Sequence, residues 1–135
     1  MEKIDWNPSF SVGVKLLDEQ HKRILDMYNL LISDSEATVR SETISELLDR
    51  LTKYAAEHFQ TEERLLEEYG YPDLARHKVE HKEYRIRVVE LCQSATIHEE
   101  SVPAELLKFM RDWWMNHILN TDMKYRSFFM ERGVK

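Results

Sequence analysis

Cysteine occurs once in this chain, at Cys92, which excludes an internal disulfide. A lone thiol suits a reducing compartment. Glycine and proline are also scarce, three of each in 135 residues, too little turn chemistry for a many-stranded sheet. Nor is there a cationic excess: 19 Lys and Arg against 25 Asp and Glu give a formal charge of −6. That balance argues against nucleic-acid binding, which needs a basic face to displace phosphate counterions. No run approaches the ~20 apolar residues of a membrane span, and Met1 to Phe10 holds no apolar stretch long enough for a signal peptide. The expectation is a soluble, cytoplasmic, single-domain protein over residues 1–135, with no nucleic-acid, membrane or evident protein partner.

What is present is enough for a core. Hydrophobic residues make up 42% of the chain and charged residues 33%, a mix that folds rather than staying disordered. Trp6 to Gly13 carries both kinds of helix breaker and reads as part of an irregular arm, residues 1–14. Leu17, Ile24, Leu25, Tyr28, Leu31 and Ile32 then recur at helical spacing. Ser41 is a candidate N-cap for a second stripe running from Leu47 through Leu51, Tyr54, His58 and Glu62 to Tyr69. Gly70 is a helix stop, and Pro72 suits the first turn of a third helix with its seam at Leu74, His77, His81, Tyr84, Val88 and Leu91. Ser101 and Pro103 open a fourth, with Leu106, Met110, Trp113, His117, Ile118, Tyr125 and Phe129. The expected helices cover about 15–33, 41–69, 72–93 and 102–131. The fold class is all-α: an antiparallel up-down-up-down four-helix bundle with an irregular N-terminal arm.

Polar residues interrupt these apolar stripes. His21, His58, His77, His81 and His117 fall on the inward faces, joined by Glu62 and Asp122. One histidine on an apolar face is ordinarily a satisfied core residue; five aligned with two carboxylates are not. Each unsatisfied buried polar group costs about 1–3 kcal/mol, and a buried unpaired carboxylate costs more. Imidazoles and carboxylates are rich in acceptors and poor in donors, so cations are the natural compensation.

Spacing agrees. His58 and Glu62, like His77 and His81, stand four apart on one helical face. His117 and Asp122 stand five apart, about 140° from a common face on a straight α-helix. Either the last helix is overwound or loosened near Leu119 to Thr121, by a π-type turn for instance, or Asp122 reaches the site sideways. Five imidazoles and two carboxylates without a thiolate exceed one zinc and are too nitrogen-rich for calcium or magnesium. Two first-row ions fit, with iron the leading candidate and manganese second. Bridging carboxylates, the imidazoles and a shared oxide or hydroxide leave one position of an octahedral pair open, where a small molecule can bind.

The chain resembles the hemerythrin family, and within it the single-domain bacterial members. The resemblance rests on Trp6-Asn7-Pro8 with Val12-Gly13, Asp18-Glu19-Gln20-His21, His58-Phe59 with Glu62-Glu63, Gly70-Tyr71-Pro72 with His77 and His81, and Trp113 followed by Asn116-His117-Ile118 and Thr121-Asp122. It implies reversible binding of molecular oxygen, as carrier, store or sensor, at a non-haem di-iron centre. By this resemblance His77, His81 and His117 hold one iron, and His21 and His58 the other. Glu62, Asp122 and an oxo or hydroxo group bridge them, and the iron with two histidines carries the open position. The same centre acting on peroxide or nitric oxide as a redox enzyme is the alternative. Ferritin-like and zinc-hydrolase readings fail because Glu-x-x-His and His-Glu-x-x-His are both absent.

Two positions depart from the family pattern. Trp114 replaces a leucine that lines the oxygen pocket, so it is expected to contact the bound ligand's pocket and narrow it. Asn120 replaces a common glycine. Other residues read more plainly: Glu63, Glu67 and Glu68 as a solvated face, His98 as a surface residue, Cys92 as a buried small hydrophobe. Trp6, Trp113, Tyr54, Tyr84 and Tyr125 read as core packing, and Gln20 either supports His21 or faces water.

Overall fold

The computed structural model describes residues 2–135. Four rods form an antiparallel helical bundle, with no strand among the described residues. The first rod is helix α1 (Lys15–Ser33). The second joins α2 (Glu42–Tyr54), a π-helical segment (Ala55–Phe59) and α3 (Gln60–Glu68). The third is α4 (Leu74–Thr96). The fourth joins α5 (Val102–Asp112), a π-helical segment (Trp113–Thr121), a 3-10 turn (Asp122–Tyr125) and α6 (Arg126–Glu131). Helix α1 packs on α2 and α5, and α4 packs on α2, α3 and α5.

The arm is tied down by polar side chains. Asn7 caps a 3-10 turn (Pro8–Phe10) by accepting the Ser9 N–H at 2.9 Å. Asn29 of α1 accepts the Ile4 N–H at 2.9 Å and donates to the Ile4 carbonyl at 2.8 Å. Asp18 accepts from the Val12 N–H at 2.8 Å, just where the chain turns into α1.

The third rod starts at Leu74, not at Pro72 as expected, and runs on to Thr96. The reason lies in how α3 stops. Gly70 takes φ +72°, the Tyr71 N–H bonds the Leu66 carbonyl at 2.8 Å, and the Gly70 N–H bonds Glu67 at 3.1 Å. This closing turn then buries Tyr71 beside Leu66. Pro72 follows the stop instead of opening the next helix. Ser41 does precede α2, but its hydroxyl accepts from Thr38 N–H at 2.9 Å and leaves α2 without a side-chain cap.

The apolar interior divides into two clusters. One includes Ile24, Leu51, Phe59, Tyr84, Met110, Trp114 and Ile118. The other contains Val12, Val14, Leu17, Leu66, Tyr71, Tyr125 and Phe129. Going from one to the other, α1 passes through His21, the second rod through Glu62, and the fourth through Asp122. The break between the clusters is a polar layer that crosses the bundle.

Candidate metal centre

That layer contains His21, His58, Glu62, His77, His81, His117 and Asp122, all buried. The bundle brings together all seven residues singled out in the sequence. Their donor atoms fall into two groups, each within 4.8 Å: Glu62, His77, His81 and His117, and His21, His58, Glu62 and Asp122.

All five rings turn Nε2 inward, and the carboxylate oxygens sort them. Glu62 Oε2 lies 3.4 Å from His21 and 3.1 Å from His58. Its Oε1 faces His77 closely and lies 3.1 Å from His81. Asp122 Oδ2 is 3.1 Å from His21, while its Oδ1 is 2.9 Å from His77 and 3.0 Å from His117. Each carboxylate therefore presents one oxygen to a pair-side ring and the other to the trio His77, His81 and His117.

The π-helical segment explains how Asp122 joins. An i→i+5 turn returns a residue five along to the starting face, so His117 and Asp122 share the layer despite their spacing. The expected loosening near Leu119 to Thr121 is present and longer, from Trp113 to Thr121. The other π-helical segment, Ala55–Phe59, carries His58 and was not expected. Spacings of three and four in that stripe fit an unbroken α-helix, so periodicity held no sign of it.

Aromatic rings hold the imidazoles in place. Phe59 stacks on His81 at 3.8 Å and 4°, Trp113 on His117 at 3.9 Å and 13°, and Tyr54 on His58 at 4.9 Å and 22°. Tyr125 does more than pack: its hydroxyl donates to Glu62 Oε2 at 2.9 Å. Trp114 is buried, with Trp6 and Phe10 of the arm as its ring neighbours at 6.3 and 5.4 Å.

Behind the rings stand polar partners at Nδ1. His81 Nδ1 lies 2.7 Å from Glu63 Oε2 and His117 Nδ1 3.1 Å from Glu80 Oε1. Glu63 is thus not simply part of a solvated face. Gln20 is buried and pairs with His58 Nδ1 at 2.6 Å, rather than with the adjacent His21 or with water. Glu80 was missed; its place directly before His81 was the available signal. Cys92 is only partly buried.

Electrostatics within the layer are strong. Burial disfavours the imidazolium of His21, yet Asp122 and Glu62 outweigh it and raise the ring to about 9. By the same balance His77 rises to about 10, and His117, through Asp122 and Glu80, to about 9. Burial prevails at His58 and lowers it. Despite burial, the surrounding rings hold Glu62 and Asp122 well below the usual carboxylate range.

The donor set fits metal ions. Both nitrogens of His21, Nε2 of His81 and of His117, and both Asp122 oxygens lack an aligned hydrogen-bond partner. These atoms are close without pairing as donor and acceptor, and at about 1–3 kcal/mol each that is costly in a domain stable by about 5–15 kcal/mol. Cations placed among them would satisfy each of these except His21 Nδ1, which lies on the side of the ring away from the two carboxylates.

An all-helical bundle crossed by such a layer has the architecture of a helical protein built around a candidate metal centre. The family model described as the hemerythrin HHE cation binding domain matches residues 12–128. The bacteriohemerythrin of Methylococcus capsulatus is 36% identical over 126 residues, covering 93% of this chain and 95% of that protein. The myohemerythrin of Theromyzon tessulatum is 34% identical over 126 residues, covering 93% of each. The crystal structure of wild-type hemerythrin matches with a TM-score of 0.81 at 34% identity, covering 93% of this chain and 97% of the other. The chain belongs to the hemerythrin family.

Proposed function

We propose that this protein binds molecular oxygen reversibly at a non-haem pair of iron ions. His77, His81 and His117 would hold one ion, His21 and His58 the other, with Glu62 and Asp122 bridging. The observation that carries this reading is the sorting of carboxylate oxygens, one toward each set of rings. A pair of irons supplies the two electrons and the open coordination position that reversible oxygen binding requires.

The protein's own contribution is orientation and exclusion. Nδ1–H groups donating to Gln20, Glu63 and Glu80 fix the tautomer that leaves Nε2 free to coordinate. Tyr125 steadies Glu62 by donating to Oε2. The apolar clusters on both sides of the layer keep bulk water away. Among the described residues no helix is long and apolar enough to cross a membrane, and the lone thiol suits a cytoplasmic setting.

Metal analysis with absorption spectroscopy tests the reading. About two irons per chain, with a visible band that appears in air and bleaches on deoxygenation, is the expected result. A single zinc would overturn it. Irreversible turnover of peroxide without reversible bleaching would favour a di-iron redox enzyme instead.

A further inference from the structure

The five rings differ in what stands behind them. On the three-ring side, two Nδ1 atoms face carboxylates: His81 faces Glu63 at 2.7 Å, and His117 faces Glu80 at 3.1 Å. Glu80 is itself held by the Thr121 hydroxyl, which donates to the same oxygen at 2.9 Å. On the two-ring side the partner of His58 is a neutral carboxamide, Gln20 Oε1, at 2.6 Å. Among the described residues His21 Nδ1 is buried with no hydrogen-bond partner. Among the described residues His77 has no side-chain partner at Nδ1, so the contrast is two anions on one side against one amide on the other.

This contrast has a direct effect on metal affinity. An imidazole whose Nδ1–H donates to a carboxylate is a more basic ligand at Nε2, and such outer partners change metal affinity about 10–100-fold. A carboxamide offers a dipole and no charge. Glu62 and Asp122 turn one oxygen to each side and cancel in the comparison.

Building on the di-iron reading above, we propose that Glu63, Glu80 and Gln20 are positioning residues that make the two metal positions unequal. The position at His77, His81 and His117 fills first and holds its ion more tightly. The position at His21 and His58 is the labile one.

Titrating the metal-free full chain with Co(II) alone, followed by visible absorption and calorimetry, tests this. Two binding steps separated by about tenfold or more are expected. Glu63→Gln, a near-isosteric change in a partly buried side chain, weakens the tight step by about 10–100-fold and leaves the weak step in place. Gln20→Glu tightens the weak step and narrows the gap. Ligand count alone would separate the steps but would not make the two variants act on different ones. Chelator-driven release from the Co(II)-loaded protein reads the same order in reverse: the ion that leaves first is the one retained longer in Gln20→Glu. Two equal steps in the unmodified protein, or both variants moving the same step, overturn the inference and leave the dinuclear reading standing. Binding of fewer than two ions overturns both.

Discussion

Glu62 and Asp122 meet across the bundle with matched orientation. Each sends one oxygen to His21 and the other to His77, with Asp122 at 3.1 and 2.9 Å from these rings. Neither residue can be lost without taking a donor from both groups of rings. On the di-iron reading Asp122→Asn removes an anion that both cations would share, and metal content is expected to fall from about two ions per chain to one or fewer. Elemental analysis of the purified variant checks this. Full occupancy would show that Asp122 is not a shared ligand.

Tyr125 is fully buried and donates to Glu62 Oε2 at 2.9 Å. Tyr125→Phe keeps the ring and deletes only the donor. A hydrogen bond to a charged acceptor is worth about 1.5–3 kcal/mol, and a loss of that order is expected in urea unfolding of the metal-loaded protein.

Metal-free protein should show a distinctive pH dependence. His21, His77 and His117 sit at about 9, 10 and 9 because Asp122 and its neighbours outweigh the burial that disfavours their charge. A raised value in the folded state means that stability is fully present below the unfolded value of about 6.5 and is lost as pH climbs through 9 to 10. His58, lowered by burial, acts in the opposite sense below about pH 6.5. Thermal melts of metal-free protein are therefore expected to fall steadily from pH 6.5 to 10. Loaded protein, whose rings are neutral ligands, should lack that decline and should bind metal more weakly as pH drops.

Trp114 packs edge-on against Trp6 and Phe10, joining the arm to the fourth rod. Trp114→Leu substitutes a smaller apolar side chain at a buried position. Stopped-flow mixing with oxygen should show faster uptake, and autoxidation should accelerate with it. Unfolding free energy should drop by about 1–3 kcal/mol as the aromatic cluster loses its buried member. Unchanged oxygen kinetics would confine the indole to a packing role.

Helical periodicity and donor chemistry carried much of this molecule in readable form. The inward histidines and the two carboxylates stood out because polar groups broke stripes of otherwise apolar residues. The five-residue step from His117 to Asp122 likewise signalled a departure from α geometry. The π-helical segment at Ala55–Phe59 left no such trace, because the stripe through it keeps spacings of three and four.

A linear chain determines which face of each rod is buried, since that depends only on local repeat and residue type. It leaves open how far each rod slides and rotates against its neighbours. Those rigid-body choices, made by packing the two apolar clusters, decide that Gln20 meets His58 and not His21, and that Glu63 and Glu80 stand behind His81 and His117. They also decide that two carboxylates more than fifty residues apart in sequence point one oxygen at each set of rings. Contacts between distant segments depend on translations and rotations that no local pattern encodes, so the outer partner of each ring emerges only in the folded bundle.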